Sequence, residues 1–227
     1  IADLSAQVAS LRQGITELKH LESLHSANVL HIQMKNLTQA SAESCQSFFR
    51  NWGTRTLTSV QYLDDGDLLK LQILLSDGQA TFDFSGTCSS RKDNLNATEA
   101  ITHSVICYCL RLLINEDLPL NEGLLAPVKI IIPEGSILSP IFSQRIQDCP
   151  GVAGGNVEIS QKLVDLIMSA FDRVACSQGT MNNITFGNER FSHYETIGGG
   201  AGAMIGQDGT SAVQVHMTNT AITDPET

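Results

Sequence analysis

Three observations predict an α+β fold. Apolar residues near the N-terminus recur at steps of three and four. From Leu57 the period changes to two. Helical and strand-like runs then stay largely segregated, which separates this class from the alternating α/β folds.

Ile1, Leu4, Val8, Leu11, Ile15 and Leu18 place one apolar stripe on a helix. The rhythm loosens between His20 and Ser26, and a second helical run continues to about Phe49. Residues 1–50 are therefore expected to form a helical hairpin, and residues 51–227 a mixed α+β region. His20, His25 and His31 fit no metal spacing and read as surface or hinge residues. Leu57–Leu63, Leu68–Leu75 and Ala80–Phe84 read as an antiparallel meander. Asp64-Asp65-Gly66-Asp67 and Ser76-Asp77-Gly78-Gln79 supply its turns. The first turn lacks the spacing of a calcium loop and reads as solvated.

A helix is expected from about Ala97 to Asn115, with Asn94 and Asn96 bonding the preceding loop or capping it. It carries His103, read as a core or cap residue, and Cys107 and Cys109, read as packing. Val128–Ile132 is a short apolar strand. Asn156 is the expected cap of a further helix ending near Phe171, with Val157, Leu163, Val164, Ile167 and Phe171 as its buried stripe. Cys176–Gly187 returns the chain to strand. Gly198, Gly199, Gly200 and Gly202 mark a loop that needs positive φ or close backbone approach. Val213, Val215 and Met217, alternating with Gln214 and His216, read as one more strand. A polar cluster at Thr218, Asn219, Thr220, Thr223 and Asp224 follows. Loop, strand and cluster form either a site wall or a tight turn with an edge strand.

Composition narrows the function. The 227 residues carry a formal charge of −10, with 42% hydrophobic and 17% charged residues. An acidic chain without a basic run repels phosphate backbones, so no nucleic-acid partner is expected. No apolar run reaches the roughly 20 residues of a membrane span. Six dispersed cysteines without a short rhythm read as reduced thiols of a cytoplasmic protein. Sparse surface charge suggests that more protein covers part of the chain, and an oligomer is expected. The chain opens directly in a helical pattern and stops at Asp224-Pro-Glu-Thr227, as a segment of something longer would. No P-loop, dinucleotide fingerprint, Gly-x-Ser-x-Gly elbow or His-Glu-x-x-His motif is present. Residue chemistry alone supports a glycine-rich site wall and no particular reaction.

Nine motifs in one order carry a resemblance. They are Asp83-Phe-Ser-Gly-Thr87, Asn94-x-Asn96, Leu118-Pro-Leu-Asn-Glu-Gly123, Ile132-Pro-Glu-Gly-Ser136 and Gly154-Gly-Asn-Val157 with Ser160-Gln161. Ser177-Gln-Gly-Thr-Met-Asn-Asn183, Tyr194-Glu-Thr196, Gly198-Gly-Gly-Ala-Gly202 and His216-Met-Thr-Asn-Thr220 with Thr223-Asp-Pro-Glu226 complete the set. Together with the opening Asp3-Leu-x-Ala-Gln7 they resemble the hydantoinase B / 5-oxoprolinase family over essentially the whole chain.

The resemblance implies an ATP-dependent amidohydrolase that opens a cyclic amide: 5-oxoproline to glutamate, N-methylhydantoin to the carbamoyl amino acid, or a related lactam. Some relatives are ketone carboxylases. It implies a separate hydantoinase A-type ATPase subunit or domain that binds ATP, with this half performing the hydrolytic step. Phosphorylation of the lactam oxygen would open a poor electrophile to attack by water, and fixed donors would stabilise the developing charge. On this basis Asp83, His216, Asn219 and Asp224 are the expected catalytic residues. Asn96, Asn156, Glu195, Gly198, Gly199, Gly200, Gly202 and Thr220 are expected to bind substrate. The family's His and Asp metal ligands belong to an earlier region, so a divalent metal is expected outside this segment. Ala221 replaces the arginine of many relatives, and Ser143–Pro150 looks like extra loop. The segment corresponds to the middle to later part of a subunit about twice its length. The competing expectation is a non-catalytic assembly fragment whose apolar stripe binds the missing halves.

Overall fold

The second β-strand shows how the core forms. Along Leu68–Ser76, Leu69, Leu71, Ile73 and Leu75 are fully buried while Lys70, Gln72 and Leu74 face out. That alternation lets one face of a sheet cover helices and leaves the other to water. The computed structural model describes residues 2–218.

The order is α1 (Ala2–His25), α2 (Ala27–Trp52), β1 (Arg55–Tyr62), β2 (Leu68–Ser76), β3 (Gln79–Asp83), α3 (Glu99–Ile114), β4 (Val128–Ile131), α4 (Ile159–Ala170), β5 (Asn182–Asn188) and β6 (Phe191–Ile197). The main sheet runs β1-β2-β3-β4, and β5-β6 is a separate hairpin. The meander is antiparallel as expected, with Ile73 paired to Leu57 and to Phe82. The fourth strand pairs parallel to β3, from Ala80 opposite Val128 to Asp83 opposite Ile131. The sheet is therefore mixed, because α3 carries the chain back before β4 begins. At the β2–β3 turn Asp77 and Gly78 both take positive φ, the conformation that an Asp-Gly hairpin turn needs.

Three helices cover the buried face. Cys45 and Phe49 come from α2, and Val105, Ile106, Cys109 and Leu110 from α3. Leu163, Val164, Leu166 and Ile167 come from α4, with Phe171 just after it. Phe171 meets Trp52 edge-on at 5.1 Å, and the Arg55 and Arg173 guanidiniums lie over the indole at 5.4 and 5.2 Å. All six cysteines are free thiols.

Several local expectations are corrected. Ser26, at φ 68°, breaks α1 from α2. α1 has no buried residue, so its stripe of Leu4, Val8, Leu11, Ile15 and Leu18 is exposed instead of sealed along a packed hairpin. His103 is exposed on α3. α4 starts at Ile159, so Asn156 falls in a preceding 3₁₀ turn and Glu158 stands at the cap position. The expected strand at Val213–Met217 is absent, and His216 and Met217 form a turn. The Asp64–Asp67 turn is not simply solvated. Arg91 Nη1 pairs with Asp65 at 2.6 Å and with Asp67, and its Nη2 reaches Asp93 at 2.7 Å.

Candidate functional site

The site is organised by α4, an apolar helix that nevertheless buries Ser160, Gln161 and Asp165. A carboxylate at a core position needs donors. Asp165 finds them in the loop that follows α4: Ser177 N donates to Oδ1 at 2.9 Å, and Ser177 Oγ approaches Oδ2 at 3.4 Å. Gly179, at φ +69°, lets that loop fold over the helix.

His216 closes the cluster from the other side. Its φ of 56° lies in the left-handed region, which is costly for a residue with a Cβ. Gln161 holds this segment in place by donating Nε2 to Val215 O at 3.3 Å and to Thr218 Oγ1 at 2.7 Å. The imidazole Nε2 lies 4.0 Å from Asp165 Oδ1, and Nδ1 lies 3.4 Å from Tyr108 Oη on α3. Burial pulls the His216 pKa below its ordinary 6.5, and the Asp165 carboxylate acts in the opposite direction. The ring is therefore neutral at physiological pH. Burial, with a smaller push from Cys109, raises the Tyr108 phenol to about 12. The site thus holds a neutral imidazole and a neutral phenol over one buried aspartate. Its two imidazole contacts are long, so the ring is placed without being saturated.

A cleft of about 440 Å³ adjoins this cluster across the Ser177–Thr180 loop. Leu63 and Leu95 are its apolar surfaces, and Asp64, Asp65, Glu158, Lys162, Gln178, Thr180 and Asn182 its polar ones. Lys162 and Asp165 stand one turn apart on α4, and both approach Gly179. A nucleotide triphosphate does not fit here, because three carboxylates outnumber one ammonium. Among the described residues no three His, Cys, Asp or Glu side chains converge to hold a metal.

The expected site residues separate into groups. Asp83 is half-buried at the end of β3 and accepts from Ser85 N at 2.8 Å, as a turn-builder does. Asn96 is fully buried and saturated. Its Oδ1 accepts from Arg91 N, and its Nδ2 faces the carbonyls of Arg91, Asp93 and Gly151 at 2.9–3.2 Å. The Asn156 side chain is exposed. Glu195 is exposed on β6 and lies 3.3 Å from His193 Nε2. In the glycine loop only Gly200 takes positive φ, at +103°. The others permit close approach: a Cβ at Gly199 would lie 1.3 Å from Gln178 Oε1, and one at Gly202 1.8 Å from Ala175 O. The loop thus packs behind the Gln178 edge of the cleft. Asn219, Thr220 and Asp224 lie outside the described residues. Of the expected residues that are described, only His216 joins the cluster around Asp165. Asp165, Tyr108 and Lys162 were not anticipated. The signal for Asp165 was an acid between the core residues Val164 and Leu166 of an otherwise apolar stripe.

A family model described as Hydantoinase B/oxoprolinase matches residues 1–227. The chain is 43% identical over 242 residues to 5-oxoprolinase 1 of Arabidopsis thaliana, across 100% of this chain and 19% of that protein. The chain belongs to the hydantoinase B/oxoprolinase family. It spans about a fifth of the length of this curated relative. Among solved structures, the family fold is shared with the ATP-dependent caprolactamase from Pseudomonas jessenii. The TM-score is 0.73 at 18% identity, covering 92% of this chain and 39% of that one. A nucleotide-free acetone carboxylase aligns with a TM-score of 0.59 at 14% identity, covering 77% of this chain and 27% of that one. At such identities the likeness is one of fold alone. No helix among the described residues of this family member is long and apolar enough to cross a membrane.

Proposed function

We propose that this chain is the ring-opening segment of an ATP-dependent cyclic-amide hydrolase, with 5-oxoproline as substrate and glutamate as product. The observation that carries this reading is the 43% identity to a 5-oxoprolinase across the whole chain. The geometry supports it with a half-buried, neutral imidazole, separated from a small polar cleft by the Ser177–Thr180 loop. In this reading a hydantoinase A-type ATPase domain or subunit binds the nucleotide and activates the lactam oxygen. His216 takes a proton from the attacking water, and Asp165 stabilises the imidazolium that forms. With Nε2 facing Asp165, the accepting atom is Nδ1, whose long 3.4 Å contact with Tyr108 Oη the water displaces. Asn219 and Thr220 follow Thr218 directly in sequence and are the proposed donors to the developing oxyanion. Asp224 remains a proposed catalytic residue on the family resemblance. The protein is proposed to work in the cytoplasm as an oligomer, with any divalent metal held outside this segment.

The test is glutamate formation from 5-oxoproline by the full-length parent protein and its ATPase partner, with and without ATP. ATP-dependent glutamate is the expected result, and His216→Ala should lower kcat by about 10²–10⁴-fold. Opening of N-methylhydantoin instead would move the substrate to the hydantoin class. If neither ring opens in a folded assembly that hydrolyses ATP, the hydrolase reading fails.

A further inference from the structure

We propose that the cleft between the β1–β2 turn and α4 binds a small zwitterionic amino acid, with Lys162 taking its carboxylate and Asp64 its ammonium. The starting observation is an uncommitted charge. Lys162 is half-buried, yet its ammonium forms no ion pair or hydrogen bond among the described residues. A partly desolvated ammonium without a partner is costly unless something supplies the missing charge.

The neighbouring acids do not supply it. Asp165, one turn along α4, accepts from Ser177 N and Oγ, Glu158 accepts from Thr180 Oγ1 at 2.5 Å, and Asp65 pairs with Arg91 at 2.6 Å; none of the three forms an ion pair with Lys162. Asp64 is exposed on the turn and makes no ion pair among the described residues. Both signs of charge therefore line one cleft without neutralising each other.

The local backbone keeps the ammonium in place. A Cβ at Gly179 would lie 3.1 Å from Lys162 Nζ and 3.3 Å from Cε, and the φ of +69° favours glycine there. Any side chain at this position would press on the lysine. Leu63 and Leu95 offer an apolar surface for a short carbon chain. The volume of about 440 Å³ falls in the range for small-molecule sites.

This charge pattern selects among small ligands. A simple dianion meets a cleft with more acid than base. A free amino acid presents an ammonium and a carboxylate together, and so matches both unpaired groups. A lactam has no ammonium, because its nitrogen is an amide. The cleft accordingly favours the ring-opened product over the ring. The identification with product rests on the ring-opening reading above, while the binding itself does not.

The experiment is isothermal titration of the full-length parent protein with glutamate, glutarate and 5-oxoproline, for wild type, Lys162→Gln and Asp64→Asn. Saturable glutamate binding is expected, weakened about tenfold or more in each variant. Glutarate, which lacks the ammonium, should bind about tenfold more weakly than glutamate to wild type and lose little in Asp64→Asn. Circular dichroism establishes that both variants fold, and Asp64→Asn, on an exposed turn, gives a second reading if Lys162→Gln does not. Unchanged glutamate affinity in folded variants, no saturable glutamate binding, or equal binding of glutarate overturns the proposal. Glutamate binding that needs Lys162 and Asp64, in a protein that opens no ring, keeps the cleft assignment and removes the 5-oxoprolinase reading. Ring opening with unchanged glutamate affinity in both variants does the reverse.

Discussion

His216 and Asn96 show what a single polar residue does once it is buried. The His216 pKa is held below 6.5 by burial, so the unfolded chain takes up a proton at this site before the folded chain does. Its contribution to stability is complete above pH 6.5 and is lost as the pH falls through the lower folded value. Urea unfolding between pH 7.5 and 5 should show a falling midpoint, and His216→Gln should flatten part of that slope. Asn96 contributes differently, through four hydrogen bonds to backbone groups of residues 91, 93 and 151. Asn96→Ala strands several buried donors and acceptors, and each costs about 1–3 kcal/mol when left unpaired. Asn156→Ala removes an exposed side chain and should change stability by no more than about 0.5 kcal/mol. Chemical denaturation of the two variants separates a loop clasp from a ligand contact. A sequon begins at Asn96, yet its side chain has no exposure to offer a glycan.

At the scale of elements, a regular apolar pattern leads to opposite burial in α1 and β2. Leu71 on β2 is fully buried, whereas Leu11 on α1 is 69% exposed. Leu71→Ala should cost about 2–5 kcal/mol. Leu11→Glu should leave the denaturation midpoint within about 0.5 kcal/mol of wild type. Equal losses from the two would mean that α1 is packed in solution. The Asp64–Asp67 turn has its own tether. Arg91 holds the carboxyls of Asp65 and Asp93 below the usual range, chiefly through its side-chain hydrogen bonds. That contribution is present above pH 3.8 and is lost as the pH falls through the folded values. In Arg91→Ala, carboxyl NMR titrations should find both groups returned toward 3.8.

Across the whole molecule, the core lies where the main sheet meets α2, α3 and α4, while α1 and the β5–β6 hairpin stand out from it. Every residue of β5 is exposed, and Thr196 is the buried residue of β6. Amide hydrogen exchange should therefore be slowest in β2 and α4. It should be fastest in α1, whose hydrogen bonds have no tertiary packing to protect them. Comparable protection in α1 and α4 would contradict this distribution of stability. The α1 stripe is exposed, and the chain spans about a fifth of the length of the Arabidopsis relative.

Elements set by short-range periodicity and turn chemistry were determined by the sequence itself. These include both N-terminal helices, the three-strand meander, the Asp77-Gly78 turn, the strand at Val128, and the helices at 99–114 and 159–170. The family was also determined there, because nine motifs in fixed order carry far more information than any one of them. Tertiary structure decided the rest. The parallel pairing of β4 depends on where α3 returns the chain, which no local pattern records. The alternation from Val213 to Met217 suggested a strand, but Gln161 reaches across and holds that segment as a turn. His216 became part of a cluster only when Asp165 and Tyr108, 51 and 108 residues away in sequence, met it in the core. Hydrophobic period reports which face of an element is apolar. It does not report which distant polar group that face will bury, because that depends on long-range packing.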